Sequence, residues 1–315
     1  MTGGAGFIGS HVVERLLERG DSVVVVDDFN DFYDPSVKRS NLSQVIDCIK
    51  LVELDICDSA ALEGAFTESG GNGCFDVIIH LAARAGVRPS ILDPQAYIDT
   101  NVTGTLNLLE AARNFGVKRF VFGSSSSVYG TNSKVPFAEN DPLVRTISPY
   151  ATTKLAGEQL CSNFSELYGL EVACLRFFTV YGPRQRPDLA IAKFVRLMNA
   201  GEPINRYGLG HSSRDYTYVS DIVDGIMAAV DVQQLSFEVV NLGGSEPVSL
   251  NDLISTLEGA VGKPAVINQM PEQAGDVPRT FADLGKAKEF LGYEPKVSLK
   301  AGIESYVNFL KDTSS

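Results

Sequence analysis

Three features of this 315-residue sequence point to an α/β fold built on a doubly wound parallel sheet, with a smaller C-terminal lobe. The first is the order at the start: a glycine-rich run, an amphipathic helical pattern, an apolar strand pattern, then an acid. The second is the alternation of short apolar runs with helical patterns through the first half. That alternation implies parallel strands joined by crossover helices that cover both faces of a sheet. The third is the change after Gly182-Pro183, where the pattern turns irregular and richer in Gly, Pro and Arg.

The glycine-rich run is Thr2-Gly3-Gly4-Ala5-Gly6-Phe7-Ile8-Gly9-Ser10. Without side chains the backbone can turn tightly, approach a pyrophosphate and let the next helix pack close to the sheet. That helix, expected from Ser10 to Arg19 and closed by Gly20, turns unpaired N–H groups and a positive dipole end toward the phosphates. The strand Val23–Val26 follows, then Asp27 and Asp28. Asp27 lies 18 residues after Gly9, where an acid reaches the adenine ribose hydroxyls. A carboxylate there repels a 2′-phosphate, so this Rossmann fingerprint favours NAD over NADP. A strand normally precedes the fingerprint, and here only Met1 does. Either a short upstream segment is missing from this chain or the sheet has a gap at its middle. A misplaced start is the simpler account, and an apolar strand of about five residues is what the position calls for.

Further strands are expected at Lys50–Leu54, Val77–His80, Arg119–Phe122 and Glu171–Phe178. A helix is expected from about Pro94 to Phe115, with Asp93 as N-cap, Pro94 at its first position and Gly116 as stop. A second runs from Ser148-Pro149 to Tyr168-Gly169 by the same logic. Asp215–Val219 reads as a return to the first lobe, followed by a helix over Ser220–Val230 and a strand over Phe237–Asn241. The expected division is therefore 1–182 plus about 214–242 for the NAD-binding lobe, and about 183–213 plus 243–315 for the other.

Composition narrows the function classes. The 44% hydrophobic and 21% charged content is that of an ordinary globular protein. No apolar stretch approaches the roughly 20 residues of a membrane span, and the sequence given shows no signal peptide. Five scattered cysteines suit a reducing cytoplasm better than a disulfide framework, and with three histidines no metal site is expected. The net charge of −12 argues against nucleic acid or an anionic membrane as partner. An anionic substrate would need locally clustered arginines.

Tyr150 and Lys154 stand four apart near the start of a helix and share one face. Alone, such a pair is ordinarily a solvated one. Here it follows Phe120-Val121-Phe122-Gly123-Ser124-Ser125-Ser126-Ser127, a buried strand pattern ending in serines. In a doubly wound sheet the C-terminal ends of strands face the ligand. A free tyrosine, with a pKa near 10, is a poor base at neutral pH, and lowering it by about 3 units takes roughly 4 kcal/mol of phenolate stabilisation. The charge of Lys154 and a nicotinamide cation can both contribute. Ser125 would hydrogen-bond the substrate hydroxyl and steady its proton.

These motifs, with His80-Leu81-Ala82-Ala83 and Ser213-Arg214-Asp215-Tyr216, resemble over nearly the whole chain the extended short-chain dehydrogenase/reductases that act on nucleotide sugars. The resemblance implies Ser125, Tyr150 and Lys154 as the catalytic trio. It implies NAD held by Gly3, Gly6, Phe7, Ile8, Gly9, Asp27, Asn30, Asp55, Ile56, Leu81, Ala82 and Ala83, with Tyr150 and Lys154. It implies Arg88 and Arg214 near the diphosphate, Tyr207 near uracil and Asp276 against the nucleotide. A homodimer would form by pairing the two long helices into a four-helix interface.

Two stretches, Asp28-Phe29-Asn30-Asp31-Phe32-Tyr33-Asp34-Pro35 and the run from Leu175 to Asp188, resemble UDP-glucuronate 4-epimerases. Enzymes of this kind first make a 4-keto sugar by passing hydride to NAD. Related dehydratases and decarboxylases carry carboxylates before Val-Tyr-Gly, where this sequence has Ser125, Ser126 and Ser127. Their absence favours return of the hydride to the opposite face. Thr179 stands where neutral-hexose epimerases usually have Asn. The sugar carboxylate is expected on Arg186, with Thr179, Ser126 or Ser127, and with Arg184 as an alternative arginine. The competing readings are a UDP-glucose or UDP-N-acetylglucosamine 4-epimerase, a UDP-glucuronate decarboxylase or dehydratase, and a non-catalytic NAD-sensing protein on the same fold.

Overall fold

The β-branched runs of the first half become short strands. In chain order they are β1 (Val24–Asp27), β2 (Lys50–Glu53), β3 (Val77–His80), β4 (Arg119–Ser125) and β5 (Glu171–Phe177). They continue as β6 (Thr179–Tyr181), β7 (Ile204–Tyr207), β8 (Ser213–Tyr218), β9 (Phe237–Leu242), β10 (Pro247–Ser249) and β11 (Ile267–Met270). This computed structural model describes residues 1–69, 75–271 and 277–313. Strands β2-β1 and β3-β4-β5-β9 form two parallel sets. Phe120, Val121 and Phe122 on β4 are at most 1% exposed, because helices cover both faces.

Met1–Gly3 join the two sets. Thr2 bridges both Val26 and His80. Gly3 N donates to Val26 O at 2.8 Å and Val26 N to Met1 O at 2.8 Å. On the other side, Thr2 N donates to Ile79 O at 3.0 Å and Leu81 N to Thr2 O at 3.1 Å. Met1–Gly3 thus link the ends of β1 and β3, and one doubly wound sheet results. Its strand ends, at Gly3, Asp27, Leu81 and Ser125, share one edge.

Three expectations change. The first helix begins at Phe7 rather than Ser10, because the glycine loop closes within Gly3–Gly6. The helix expected over 94–115 is split into Pro94–Ile98, a wider π-turn at Asp99–Thr103, and Gly104–Asn114. At the break the buried Asn101 side chain spans Arg84 N (2.8 Å), Arg84 O (2.9 Å) and Thr153 Oγ1 (3.0 Å), an exchange typical of π-turns near functional sites. The segment expected as a return to the first lobe, Asp215–Val219, instead belongs to β8, which pairs with β6 and β10 in a separate three-stranded sheet. The return comes one element later, through the helix Val219–Asp231 and β9. The second long helix stands as read, Pro149–Tyr168, with Ser148 Oγ accepting from Ala151 N at 3.1 Å.

Around β6–β8, β10 and β11, the helices Ala190–Ala200, Leu250–Val261 and Leu299–Thr313 share a second apolar core containing Val195, Leu253, Leu257 and Ile303. Among the described residues no helix is long and apolar enough to cross a membrane.

His80, 1% exposed at the end of β3, links the sheet centre to the covering helix. Thr105 donates its hydroxyl to Asn101 O at 2.7 Å, so it accepts from His80 Nε2 at 2.9 Å. Nδ1 then accepts from Thr2 Oγ1 at 2.7 Å. Burial, aided by the charge of Lys154, pushes the imidazole pKa down from 6.5 to about 3. The unfolded chain therefore binds a proton below pH 6.5 that the folded one refuses. Stability from His80 is full above pH 6.5 and is lost as pH falls toward 3, by up to about 1.4 kcal/mol per pH unit. Asp215, raised from 3.8 to about 6 by burial, acts with the opposite sign: its contribution is lost as pH rises through that range. Melting curves of the native protein and a His80→Gln variant between pH 4 and 7 separate the two. The variant should show a distinctly shallower fall in melting temperature toward acid, and an unchanged slope would reject this role.

Candidate active site

The strand ends open into a cavity of about 500 Å³. Its first wall is the glycine loop and the start of the helix Phe7–Arg19, with Gly3, Gly6, Phe7, Ile8 and Gly9 all lining it. A Cβ on Gly9 would stand 2.1 Å from Gly3 O, so the loop closes only around glycine. Asp27 lies at the end of β1, 6% exposed. Its carboxylate accepts from Ala5 N and Phe29 N, each at 3.0 Å, which ties the acid to the loop. Burial pushes this carboxyl up, against the pull of Lys38. Asn30, Asp55 and Ile56 line the same end, and Leu81, Ala82 and Ala83 lie beyond β3. A helix N-terminus, a glycine cradle and a buried acid at this spacing fit a dinucleotide: the N–H groups face the pyrophosphate and Asp27 the ribose.

The catalytic candidates converge at the far end. Lys154, 5% exposed, donates to Gly123 O at 2.7 Å and lies 5.0 Å from the centre of the Phe122 ring. Burial lowers its pKa to about 8, opposed by Cys161 and Glu158. The Tyr150 phenol lies beside Ser125 in the same cavity. Burial raises the phenol above its ordinary value, while Ser125 and Arg186 oppose that rise. Tyr97 packs edge-on at 6.2 Å and fixes the Tyr150 ring. Ser125 Oγ also accepts from Ser127 N at 3.2 Å. A general base, a cation and a hydroxyl are therefore assembled at one place, as proton transfer to and from a substrate hydroxyl requires.

Ser126, Ser127, Thr179 and Arg186 line the same cavity. Arg186 is held by Asp188 through Nε at 2.9 Å and Nη2 at 2.7 Å, over the Phe32 ring at 5.1 Å. Arg184 takes another direction. Its φ is +62°, in the left-handed region, and Nη2 donates to Glu14 Oε1 at 2.5 Å, while His11 Nε2 contacts Pro183 O at 3.0 Å. Those contacts strap the segment to the first helix, and Arg186 rather than Arg184 lines the cavity, together with Arg84.

The remaining sequence candidates lie elsewhere. Arg88 stands 5.5 Å from the centre of the Tyr207 ring, and neither lines the cavity. Arg214 donates to Ser213 O on β8, also outside it. Asp276 lies outside the described residues. Lys38 was not anticipated from sequence. It is 8% exposed, with Nζ 3.9 Å from Asp27 and 4.0 Å from Asp28. The available signal was Asp34-Pro35, whose Asp34 caps the helix Pro35–Leu42 and turns Lys38 back toward β1.

Comparisons with known proteins agree with this geometry. Residues 1–243 match the NAD dependent epimerase/dehydratase family. A UDP-glucuronate 4-epimerase of Thermodesulfobacterium geofontis is 41% identical, over 99% of this chain and 95% of that protein. The crystal structure of UDP-glucuronic acid 4-epimerase from Bacillus cereus, in complex with UDP-glucuronic acid and NAD, superposes with a TM-score of 0.91 at 36% identity, covering 99% and 98% of the two chains. A UDP-glucose 4-epimerase from Thermotoga maritima with UDP-glucose also scores 0.91 at 36% identity, covering 100% and 98%.

Proposed function

The chain belongs to the NAD dependent epimerase/dehydratase family, and from that membership we propose that it is an NAD-dependent isomerase that interconverts UDP-glucuronate and UDP-galacturonate through a 4-keto intermediate. The observation that carries the choice of sugar is the wall formed by Arg186, Thr179, Ser126 and Ser127 opposite Tyr150. It offers a permanent cation with hydroxyls to a carboxylate, and no carboxylate of its own at Ser125–Ser127. Guanidinium suits the task because its N–H fork matches two carboxylate oxygens. The neutral-sugar reading draws on the equally similar UDP-glucose enzyme, so overall shape does not separate the two. A panel of UDP-glucuronate, UDP-glucose and UDP-N-acetylglucosamine does. The uronate should give the highest kcat/KM by a wide margin, and a neutral sugar at the top would reject the assignment.

When bound, NAD supplies the hydride acceptor and a positive ring beside the phenol. The chain's own groups do the rest. Tyr150 takes the proton of the sugar hydroxyl, Ser125 orients that hydroxyl, and Lys154 stabilises the phenolate. Because the cofactor is regenerated in each turnover, it should remain bound through purification, and Asp27 should make it NAD. Denaturing the protein and identifying the released nucleotide checks this; recovery mainly of NADP would contradict it.

The reading assigns the diphosphate and uracil to Arg88, Tyr207 and Arg214 beyond the cavity rim, and extends to a homodimer. The helices Gly104–Asn114 and Pro149–Tyr168 leave Leu106 (37% exposed), Leu167 (68%) and Tyr168 (50%) open to solvent. Light scattering at micromolar concentration should give twice the chain mass, and a monomer mass would reject the dimer.

A further inference from the structure

The face of the catalytic helix that carries Tyr150 and Lys154 continues one more turn to Glu158, which is 1% exposed. The three residues are spaced by four, so they stack on one side of the helix. Two of them grip the end of β4, and Tyr150 lies beside Ser125, near enough for the serine to draw the phenol's pKa down. Lys154 donates to Gly123 O at 2.7 Å. Glu158 Oε1 accepts from Ser124 Oγ at 2.5 Å. Ser124 and Ser125 are consecutive residues at the end of β4, and both line the cavity.

The helix also lies unusually close to this strand. A Cβ on Gly157 would stand 2.5 Å from the Phe122 ring, so the approach depends on glycine beside Glu158. Glu158 is in turn clamped by Arg176 of β5, with Nε to Oε1 at 2.9 Å and Nη2 to Oε2 at 2.8 Å. The Arg176 guanidinium stacks 4.8 Å from the Tyr129 ring centre, and Tyr129 donates to Asn241 Oδ1 of β9 at 2.7 Å. One carboxylate therefore ties the catalytic helix to β4 and, through Arg176, to β5. A buried ion pair is a weak source of stability, since apolar residues of similar size often serve as well or better. Its geometry instead accounts for it: Oε1 holds Ser124 beside Ser125, and both oxygens hold the arginine that braces the helix carrying Tyr150 and Lys154.

We propose that Glu158, held by Arg176, is a positioning residue for the reaction: it sets the register of the Tyr150/Lys154 helix against the Ser124-Ser125 strand end, and so the distance over which the substrate proton moves. The proposal rests on the reading of Tyr150 as the base, which the Tyr150→Phe variant tests on its own.

Two double variants test it, because removing one partner alone would strand a buried charge. Glu158→Leu with Arg176→Met removes both charges and the acceptor for Ser124. Glu158→Gln with Arg176→Met removes both charges and keeps that acceptor. With UDP-glucuronate, the Leu/Met protein should lose between about 10- and 100-fold in kcat, the scale of a small misplacement of reacting groups. Its KM, bound NAD and melting temperature should stay near native. The Gln/Met protein should recover most of that kcat. Equal kcat in the two folded doubles would overturn the proposal, as would a joint fall of kcat, NAD content and melting temperature in both. Should the Leu/Met protein not fold, Ser124→Ala decides, since it breaks one rung with both charges in place. A fall in kcat at constant KM and NAD content supports the ladder, and native kcat overturns it.

Discussion

Tyr150→Phe is expected to lower turnover of UDP-glucuronate by at least about 100-fold, the usual scale for removing a general base. The phenol lies beside Ser125 at the cavity's reactive end and carries an exchangeable proton. Phe keeps the ring and its edge-on packing against Tyr97, so folding and NAD content should survive. In the protein alone burial raises the phenol's pKa, so it rests protonated, and its activation depends on the positive charges that surround it once the site is filled. Arg186 is one resident charge, already opposing the rise, and Lys154, which burial lowers to about 8, stands one helical turn from the phenol. Lys154→Ala should accordingly cost a similar factor, and the double variant should be little worse than either single, because the two act as a unit. Near-native activity in Tyr150→Phe would remove this residue from the mechanism.

Arg186→Ala is the second large effect. The guanidinium lies against the Phe32 ring, with Nε and Nη2 engaged by Asp188 and Nη2 also by Ala85 O, which leaves Nη1 for a ligand. Its side chain is 15% exposed, so a carboxylate bound there is largely out of water. Removing one partner of such a pair costs about 2–4 kcal/mol in kcat/KM for the uronate. Activity on UDP-glucose should be spared. A 4-keto uronate is a β-keto acid, and the variant should also raise the share of UDP-pentose, since the arginine holds the carboxylate against the geometry of CO₂ loss. Equal losses on uronate and neutral sugar would show that Arg186 serves the shared diphosphate or the fold.

The parts of this site that were legible in the sequence are those where local chemistry and spacing coincide. The glycine loop, Asp27 and the Tyr150/Lys154 helix depend on short-range geometry: a turn only glycine permits, a strand-end acid, two residues on one helical face. The Ser148 cap fixed the start of that helix in the same local way. What sequence reading missed depends on tertiary approach. The π-turn at Asp99–Thr103 is tied to Asn101 reaching Arg84 and Thr153 on other segments. β8 enters a separate sheet with β6 and β10, which the short run Asp215–Val219 does not announce. Nothing in the sequence singles out Lys38 or Glu158, and only the fold buries each beside a charged partner. Met1–Gly3 are too few to show a period in the sequence, and in the fold Thr2 bridges Val26 on one side and His80 on the other.

The most direct measurement is incubation of the purified protein with UDP-glucuronate labelled with deuterium at C4 of the sugar, without added cofactor, followed by NMR of the products. The account predicts UDP-galacturonate that retains the label at C4, approaching a constant ratio to the starting sugar. No epimer, or CO₂ with UDP-pentose as the product, would contradict it.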